Sequence, residues 1–215
     1  MRRFFVLYSL LHCAFKLFIF VMMDKSLYII AGCNGAGKTT ASFTILPEIL
    51  NCKEFVNADE IAKGLSPFQP ETVAFEAGRI MLHRVNELLK EGKTFALETT
   101  LATKSYRSKI LEAQNIGYRV TLLFFWLNDV ELAINRVATR VAEGGHDIPT
   151  DVIERRYVNG IKNLFDIYLP IVDEATIVDN SVDELVILAE KVRDFEIDVL
   201  EEARFNKIME IYGKE

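Results

Sequence analysis

The stretch "LYIIAGCNGAGKTT", residues 27–40, decides the fold of this 215-residue chain. It places Gly32, Gly37, Lys38 and Thr39 at the spacing G-x-x-x-x-G-K-[ST] without a mismatch. Glycines at these positions let the backbone curl until successive N–H groups point inward, where they can bind a phosphate chain. The apolar run before the motif predicts a buried strand, and the residues after it predict a helix whose N-terminus attracts anions. The stretch therefore predicts a phosphate-binding loop between a strand and a helix.

The loop also predicts which nucleotide and metal ion the chain uses. Lys38 is expected to reach the β- and γ-phosphates of ATP, and the Thr39 hydroxyl is expected to ligate Mg²⁺. Cys33 is expected to be a small filler residue within the loop. Further nucleotide contacts are expected from the rest of the loop and from the start of the helix, at Asn34, Gly35, Ala36 and Thr40.

The composition indicates one globular domain. Hydrophobic residues make up 50% and charged residues 26% of the chain, which suits a protein that buries a core. The net charge of -6 gives no general basic field, so we expect neither nucleic acid nor an anionic membrane as a partner. Cys13, Cys33 and Cys52 show no metal-ligand spacing, and their odd number gives no disulfide framework, which favours a reducing compartment. We therefore expect a cytoplasmic protein.

Residues 1–22 form an apolar leader with a basic start, which resembles a signal peptide or a membrane anchor. Lys16 interrupts the apolar run, and no small-x-small cleavage site follows it. Three interpretations stay open: a start codon assigned too early, with Met22 or Met23 as the true beginning, an appended amphipathic or membrane-associated helix, and an export signal. We expect residues 1–22 to be dispensable and residues 23–215 to form a single domain.

Strand and helix patterns alternate along the rest of the chain. The strand patterns are "KEFVNAD", "TFALE", "YRVTLLFFWL" and "ATIVD", and helical patterns lie between them. This alternation predicts an α/β fold in three layers, a P-loop NTPase in which helices cover both faces of a parallel sheet. After the last of these strands, the pattern predicts a C-terminal helix that begins at Ser181, with a capping box formed by Ser181 and Glu184.

Two polar residues follow the second predicted strand, at the sheet edge where α/β proteins bind ligands. Asp59 is suited there to accept the proton of an attacking hydroxyl, as the base of a kinase does. Alternatively, Asn57 or Asp59 caps the helix that begins near Glu60. The sequence leaves both interpretations open.

The stretch "FALETTLAT" places Glu98, Thr99 and Thr100 at the carboxyl end of a buried strand. Three polar groups at one strand end favour binding of a hydroxyl-rich substrate. Glu98 also stands where many NTPases keep the carboxylate that holds a Mg²⁺-bound water. Thr99 or Thr100 alternatively shapes the turn into the next helix.

The region around residues 128–165 is expected to form a helical lid. Arg136 and Arg140 share one face of a predicted helix, and Arg155 and Arg156 lie on the next helix, beyond a Gly-Gly hinge. Two arginine-bearing helices joined by a flexible turn are typical of a lid that closes over phosphates, neutralises the transferring group and excludes water. Any one of these arginines alternatively forms a solvated ion pair.

The motifs "NADEIAKGLSP", "ALETTLA", "GGHDIP…IERRY…NLF" and "VDNS" together resemble the compact members of the zeta-toxin family of P-loop kinases, over roughly Leu27 to Ser181. The resemblance implies a nucleoside-kinase-like sheet with a helical lid. It also implies ATP- and Mg²⁺-dependent phosphorylation of a sugar hydroxyl of UDP-N-acetylglucosamine, and restraint of the enzyme by a small antitoxin protein.

The resemblance also implies roles for individual residues. It implies Asp59 as the general base, and Glu98 with Thr100 as the groups that hold the substrate sugar. The phosphate lysine, the Mg²⁺ ligand, the two lid arginines and the adenine contact match Lys38, Thr39, Arg140, Arg156 and Asn180. Arg136 and Arg155 are the reserve positions for the lid arginines.

Three functions are compatible with these motifs. A small-molecule kinase with a hydroxyl-bearing acceptor, such as a nucleotide-sugar, is favoured by the base, the hydroxyl-binding groups and the lid. A P-loop ATPase or nucleotide switch would require a second acidic residue that positions the attacking water. It would also require an exposed surface through which nucleotide hydrolysis is coupled to a partner. A nucleic-acid-end kinase would require a basic groove, which the acidic balance does not favour. Ala102 stands where the toxins tend to carry a basic substrate contact, a departure that concerns the acceptor more than the kinase chemistry.

Overall fold

The computed structural model describes residues 25–182, 184–193 and 195–213. The expectation of a dispensable leader at residues 1–22 therefore lies outside the described residues. A sheet of seven strands runs in the order β2-β3-β1-β4-β5-β6-β7. The strands are β1 Ser26–Gly32, β2 Phe55–Val56, β3 Phe95–Thr99, β4 Arg119–Trp126, β5 Glu174–Asp179, β6 Val186–Val192 and β7 Asp198–Val199.

The helices are α1 Lys38–Thr44, α2 Ala58–Leu65, α3 Ala74–Glu91, α4 Tyr106–Asn115, α5 Val130–Ala142, α6 Thr150–Asn163 and α7 Glu202–Tyr212. Short π-helical segments continue two of the helices, at Ile45–Ile49 and Leu164–Tyr168, and a 3₁₀ turn at Pro70–Val73 precedes α3. The helical patterns that lie between the predicted strands thus form helices.

The first five strands in space, β2-β3-β1-β4-β5, pair in parallel. Every residue of β1 is buried, and its last residue, Gly32, lies opposite Phe125 of β4. Because parallel strands end at the same edge of a sheet, the loops after β1, β2, β3 and β5 meet there, and this edge is where α/β proteins bind ligands. The three-layer α/β fold of a P-loop NTPase, predicted from the sequence, is confirmed.

The prediction of a C-terminal helix from Ser181 is wrong, and the predicted parallel sheet is extended by two antiparallel strands, β6 and β7. Residues 186–192 form β6, which pairs antiparallel with β5, and the last helix begins only at Glu202. An unpaired β5 would leave its backbone N–H and C=O groups exposed, and the apolar run of β6 covers them. Leu188 and Ala189, both fully buried, show why this run joins the sheet.

The predicted capping box also does not form. The Ser181 hydroxyl bonds to the Asp179 carboxylate, and it accepts a hydrogen bond from the Asn128 backbone N–H at 2.8 Å. It therefore fixes the loop between β5 and β6 instead of starting a helix. Within the described part of the chain, no helix is both long enough and apolar enough to cross a membrane.

Candidate active site

The phosphate loop, residues 32–38, follows β1 and adopts a backbone that requires glycine. Gly32, Gly35 and Gly37 have φ angles of 139°, 77° and 79°, which side-chain-bearing residues rarely adopt. Space is equally restricted, because a Cβ atom on Gly32 would lie 2.2 Å from the Phe125 carbonyl oxygen. The curled loop expected from the motif is therefore present.

Lys38 lies inside the curl of this loop. Its residue is 6% exposed, and its Nζ donates a hydrogen bond to the Cys33 carbonyl oxygen at 2.9 Å. The same Nζ lies 3.7 Å from Oε1 of Glu98. A buried ammonium group held by a loop carbonyl and one carboxylate is placed to neutralise a phosphate that binds in the loop.

Glu98, at the end of β3, binds the residue after the lysine. The Thr39 hydroxyl donates to its carboxylate, with an Oγ1–Oε2 distance of 2.8 Å, and Asn57 Nδ2 donates to Oε2 at 3.0 Å. Burial raises the pKa of Glu98, while the Lys38 ammonium opposes that shift. Hydroxyl and carboxylate oxygens are the ligands that Mg²⁺ prefers, directly or through water, so Thr39 and Glu98 fit this ion.

The structure separates the roles of Asn57 and Asp59. Asn57 Oδ1 accepts hydrogen bonds from the backbone N–H groups of Asp59 and Glu60 at 2.8 and 3.4 Å, so Asn57 caps α2. The carboxylate of Asp59, which is half-buried, forms no hydrogen bond or ion pair with another described residue. Its charge nevertheless acts on both Glu98 and His146, so it lies near both. Asp59 is thus a carboxylate near Glu98 and His146 that has no partner among the described residues.

Thr99 and Thr100, expected to bind the substrate, have their hydroxyls engaged by the turn. The Thr99 hydroxyl accepts a hydrogen bond from the Leu101 N–H at 3.0 Å, and the Thr100 hydroxyl accepts one from the Ala102 N–H at 3.4 Å. Leu101 has a φ angle of 55°, which is the left-handed region, and Asn163 Nδ2 donates to its carbonyl oxygen at 2.7 Å. The turn-shaping alternative therefore describes what these hydroxyls do in this structure.

The four arginines of the lid region have different surroundings. Arg156, on α6, donates from Nη1 to Oδ1 of the loop residue Asn34 at 3.1 Å, and Asn34 is 4% exposed. Arg155 points elsewhere: its side chain is 62% exposed and lies 3.9 Å from the Asp151 carboxylate. Arg156 thus reaches the phosphate loop, and Arg155 forms a surface ion pair.

Arg136, on α5, binds the loop after β5. Its guanidinium donates to the carbonyl oxygens of Asn180 and Ser181 at 2.8 and 3.3 Å. Asn180 in turn donates from Nδ2 to the Ala36 carbonyl oxygen at 2.8 Å. Asn180, the expected adenine contact, therefore fixes the phosphate loop, and Arg136 fixes Asn180.

Arg140 and His146 face each other at the hinge between α5 and α6. Arg140 Nη2 lies 3.5 Å from the His146 carbonyl oxygen. Among the described residues, the buried Nε of Arg140 and the buried Nδ1 of His146 have no hydrogen-bond partner. Burial lowers the pKa of His146, so its imidazole is neutral at pH 7. Such partnerless buried groups are uncommon in folded proteins.

The arginines near the loop share one further feature. In the described part of the chain, Arg136, Arg140 and Arg156 form no ion pair with a carboxylate, whereas Arg155 pairs with Asp151. Arg136 and Arg156 lie next to the phosphate loop, and cations without acidic partners in that place favour an anionic ligand. This contrast within one lid could not be predicted from residue type, because all four positions are arginine.

Sequence reasoning missed the residues that support the loop after β5. Asp179 is buried, and its carboxylate accepts a hydrogen bond from Arg204 Nη1 at 2.8 Å. Asp179 belongs to the quoted motif "VDNS", which was a usable signal. No sequence pattern pointed to Arg204, because it follows β6 and β7, two strands that the sequence analysis did not predict.

Comparisons with known proteins agree with this fold. A family model described as an AAA domain matches residues 27–157. An uncharacterised protein of Haemophilus influenzae is 29% identical over 139 residues, which are 65% of this chain and 96% of that protein. A chain from the AvrRxo1-ORF1:-ORF2 structure with ATP superposes with a TM-score of 0.69 at 19% identity, over 86% of this chain.

The AvrRxo1 match covers 63% of the other chain, so this protein spans less than two thirds of that relative's length. A chain from the PezAT chromosomal toxin–antitoxin system of Streptococcus pneumoniae gives a TM-score of 0.61 at 17% identity, over 94% of this chain and 96% of that chain. These identities support a shared fold alone. Because the family model covers more than half of the sequence, the chain belongs to this AAA-domain family, with a kinase-like P-loop fold.

Proposed function

We propose that this protein is an ATP- and Mg²⁺-dependent kinase that transfers the γ-phosphate to a hydroxyl group of a small molecule. The observation that carries this proposal is the half-buried carboxylate of Asp59, which no described residue engages. Asp59 follows closely on Asn57, whose side chain binds Glu98. Since Asn57 caps α2, Asp59 is not needed for that purpose. A carboxylate in this place is available to accept a proton.

The nucleotide would bind along the phosphate loop. The backbone N–H groups of the loop and Lys38 would hold the phosphates, with Asn180 on the side of the base. Thr39 and Glu98 would hold Mg²⁺, which supplies charge neutralisation for the phosphates. A structural neighbour was solved with ATP, which supports nucleotide binding by this fold.

The reaction follows from the groups around this loop. The oxygen of the acceptor hydroxyl forms a bond to the γ-phosphorus, and the bond between that phosphorus and the bridging oxygen of ADP breaks. The proton of the hydroxyl passes to the Asp59 carboxylate, and the electron pair of the broken bond stays on ADP. Lys38, Arg140 and Arg156 would stabilise the negative charge that spreads over the transferring group.

UDP-N-acetylglucosamine is the acceptor that we propose to test first. Its identity derives from the zeta-toxin resemblance alone. Of the three acceptor contacts expected from the sequence, we propose Glu98, because the hydroxyls of Thr99 and Thr100 accept hydrogen bonds within the turn. Ala102 leaves the diphosphate without the basic contact of the toxins. The similarity to a chain of the PezAT toxin–antitoxin system supports a small antitoxin protein as a proposed partner. The cysteine content supports the proposed cytoplasmic location.

The test is to incubate the protein with γ-labelled ATP, Mg²⁺ and UDP-N-acetylglucosamine, and to detect a nucleotide-sugar heavier by one phosphate by mass spectrometry. Its formation supports the full proposal. Label on another metabolite of a cell extract keeps the kinase and removes this acceptor. Release of label only as inorganic phosphate makes the protein an ATPase, and label on 5′ ends of an oligonucleotide makes it a nucleic-acid-end kinase.

A further inference from the structure

The C-terminal helix α7 lies outside the residues matched by the family model, yet it binds Asp179, which fixes a loop of the candidate nucleotide site. The family model ends at residue 157, and α7 spans Glu202–Tyr212. From this helix, Arg204 Nη1 donates to Oδ2 of Asp179 at 2.8 Å. Asp179 is the last residue of β5, and its side chain is 3% exposed, against 38% for Arg204.

The other oxygen of the Asp179 carboxylate binds the loop that follows β5. Its Oδ1 accepts a hydrogen bond from the Ser181 backbone N–H at 2.8 Å, and it also bonds to the Ser181 hydroxyl. The same hydroxyl accepts from the Asn128 N–H, directly after β4. The carboxylate therefore joins α7, through Arg204, to the loop after β5.

That loop in turn contacts the phosphate loop. Asn180 donates to the Ala36 carbonyl oxygen at 2.8 Å, and a Cβ atom added to Gly37 would lie 2.4 Å from Asn180 Nδ2. Arg136 binds the same loop through the carbonyl oxygens of Asn180 and Ser181. A displacement of the loop after β5 would therefore also change the position of the phosphate loop at Ala36 and Gly37.

A buried carboxylate needs a cation or several hydrogen bonds to stay ionised in place. Removing one partner of a buried pair leaves an uncompensated charge, which is costly. Without Arg204, Asp179 would be left with its hydrogen bonds to Ser181 and no cation among the described residues. The loop would then lose the cation that stabilises its Asp179 anchor, while its contacts with Asn128 and Arg136 remain.

We propose that Arg204 is a positioning residue for nucleotide binding, which acts through Asp179 on the loop that fixes Ala36 of the phosphate loop. This inference rests on the proposed function, because it assumes that the phosphate loop binds a nucleotide. The C-terminal segment β6-β7-α7 is then part of the nucleotide site rather than an appendage of the sheet. Since Arg204 is partly exposed, a molecule that binds α7 would be able to change nucleotide affinity.

The test compares three variants of the full chain, Arg204→Ala, Arg204→Lys and Lys207→Ala. Lys207 is an exposed cation on the same helix and controls for the loss of one charge. ADP binding is measured by isothermal titration calorimetry, and thermal unfolding is measured alongside. We expect Arg204→Ala to weaken ADP binding about tenfold, a usual size for coupling between two sites, and Lys207→Ala to leave it unchanged.

Kinetics with ATP separate positioning from a merely structural role. We expect Arg204→Ala to raise KM for ATP with a smaller change in kcat, because binding is weakened before the chemical step. Arg204→Lys should restore much of the affinity, since a single hydrogen bond from a cation joins Arg204 to Asp179. This variant also keeps the test valid if the alanine variant does not fold.

The outcomes distinguish this inference from the proposed function. If the wild-type chain does not bind ADP, the proposed function itself fails. If the wild type binds ADP and Arg204→Ala binds it equally well, the positioning role is overturned. A lower melting temperature with unchanged ADP affinity would also overturn it, because α7 would then stabilise the fold alone.

Discussion

The two halves of the candidate site differ in how many of their polar groups have protein partners. In the nucleotide half, Lys38, Thr39, Asn34 and Asn180 all form hydrogen bonds with other protein groups. In the other half, where we propose that the acceptor hydroxyl reacts, the Asp59 carboxylate, the Arg140 Nε and the His146 Nδ1 have no partner in the described part of the chain. This second half is called the acceptor half.

This difference indicates which half is already formed. Polar contacts within the protein hold the nucleotide half in one geometry, which lowers the entropy cost of binding a phosphate chain. Leaving a buried donor without a partner costs about 1–3 kcal/mol, so the acceptor half gains when a ligand or a movement of the lid supplies one. We therefore expect nucleotide to bind the structure as it stands, and the acceptor to complete the other half.

The largest effect is expected for Lys38→Met, in the nucleotide half. This change removes the buried cation that would neutralise the β- and γ-phosphates, so phosphate transfer should fall by roughly 10³-fold, the upper end for loss of one stabilising group. Initial rates with labelled ATP measure the change. Transfer within a few-fold of wild type would mean that the loop does not hold the reacting phosphates.

The neighbouring arginines of α6 provide a matched pair for the next effect. Arg156→Ala should lower kcat by about 10²-fold, because Arg156 reaches the phosphate loop, whereas Arg155→Ala should change it by less than about two-fold, as for a surface ion pair. Both variants remove one arginine from the same helix, and steady-state kinetics compare them directly.

Two additional variants refine this comparison of the lid. Arg156→Lys should restore little activity, since an ammonium group lacks the planar guanidinium fork. Arg140→Ala should likewise lower kcat more than it raises KM for ATP. If these variants lose only ATP affinity and keep their kcat, Arg140 and Arg156 bind ATP before the reaction and do not stabilise the transferring phosphate. The proposed role of these two arginines would then be wrong.

A smaller effect is expected at the turn after β3. Thr99→Val removes a hydroxyl that accepts the Leu101 N–H, so the free energy of unfolding should fall by about 1 kcal/mol. Chemical denaturation measures this change. KM for the acceptor should stay within about two-fold, and a rise of tenfold would show that the hydroxyl also holds the substrate, which would restore the sequence-based expectation.

The smallest effect concerns the leader. A chain that begins at Met23 should fold, stay soluble and bind ATP as well as the full chain, because β1 begins only at Ser26. Circular dichroism and ATP titration of the shortened chain test this. Loss of folding would show that residues 1–22 contribute to the domain.

The sequence predicted most of what positions the nucleotide, because that information is local. The phosphate loop needs glycines at fixed spacing, and the strands that flank it are continuous apolar runs. The residues after Asp179 were mispredicted for a non-local reason: the segment "LVILAEKV" suits a helix as well as a strand, and only the open edge of β5 selects the strand.

The candidate site shows the same division between local and non-local information. That Asn57 caps α2 and leaves Asp59 without a partner depends on a hydrogen-bond geometry that the sequence left open. The separation of Arg155 from Arg156 depends on which face of α6 meets the phosphate loop. Arg204 binds Asp179, which lies 25 positions away in the sequence, and a short sequence motif does not reveal a contact of that kind.

The most direct test of the central claim is a comparison of wild type with Asp59→Asn under single-turnover conditions, with γ-labelled ATP and an acceptor that the wild type phosphorylates. The measured quantities are the rate of label transfer to the acceptor and the dissociation constant for ADP. We predict that the variant binds ADP within a few-fold of wild type and transfers phosphate at least about 10²-fold more slowly, as expected for loss of a general base. Transfer at a rate close to wild type would contradict the claim that Asp59 accepts the proton of the acceptor hydroxyl.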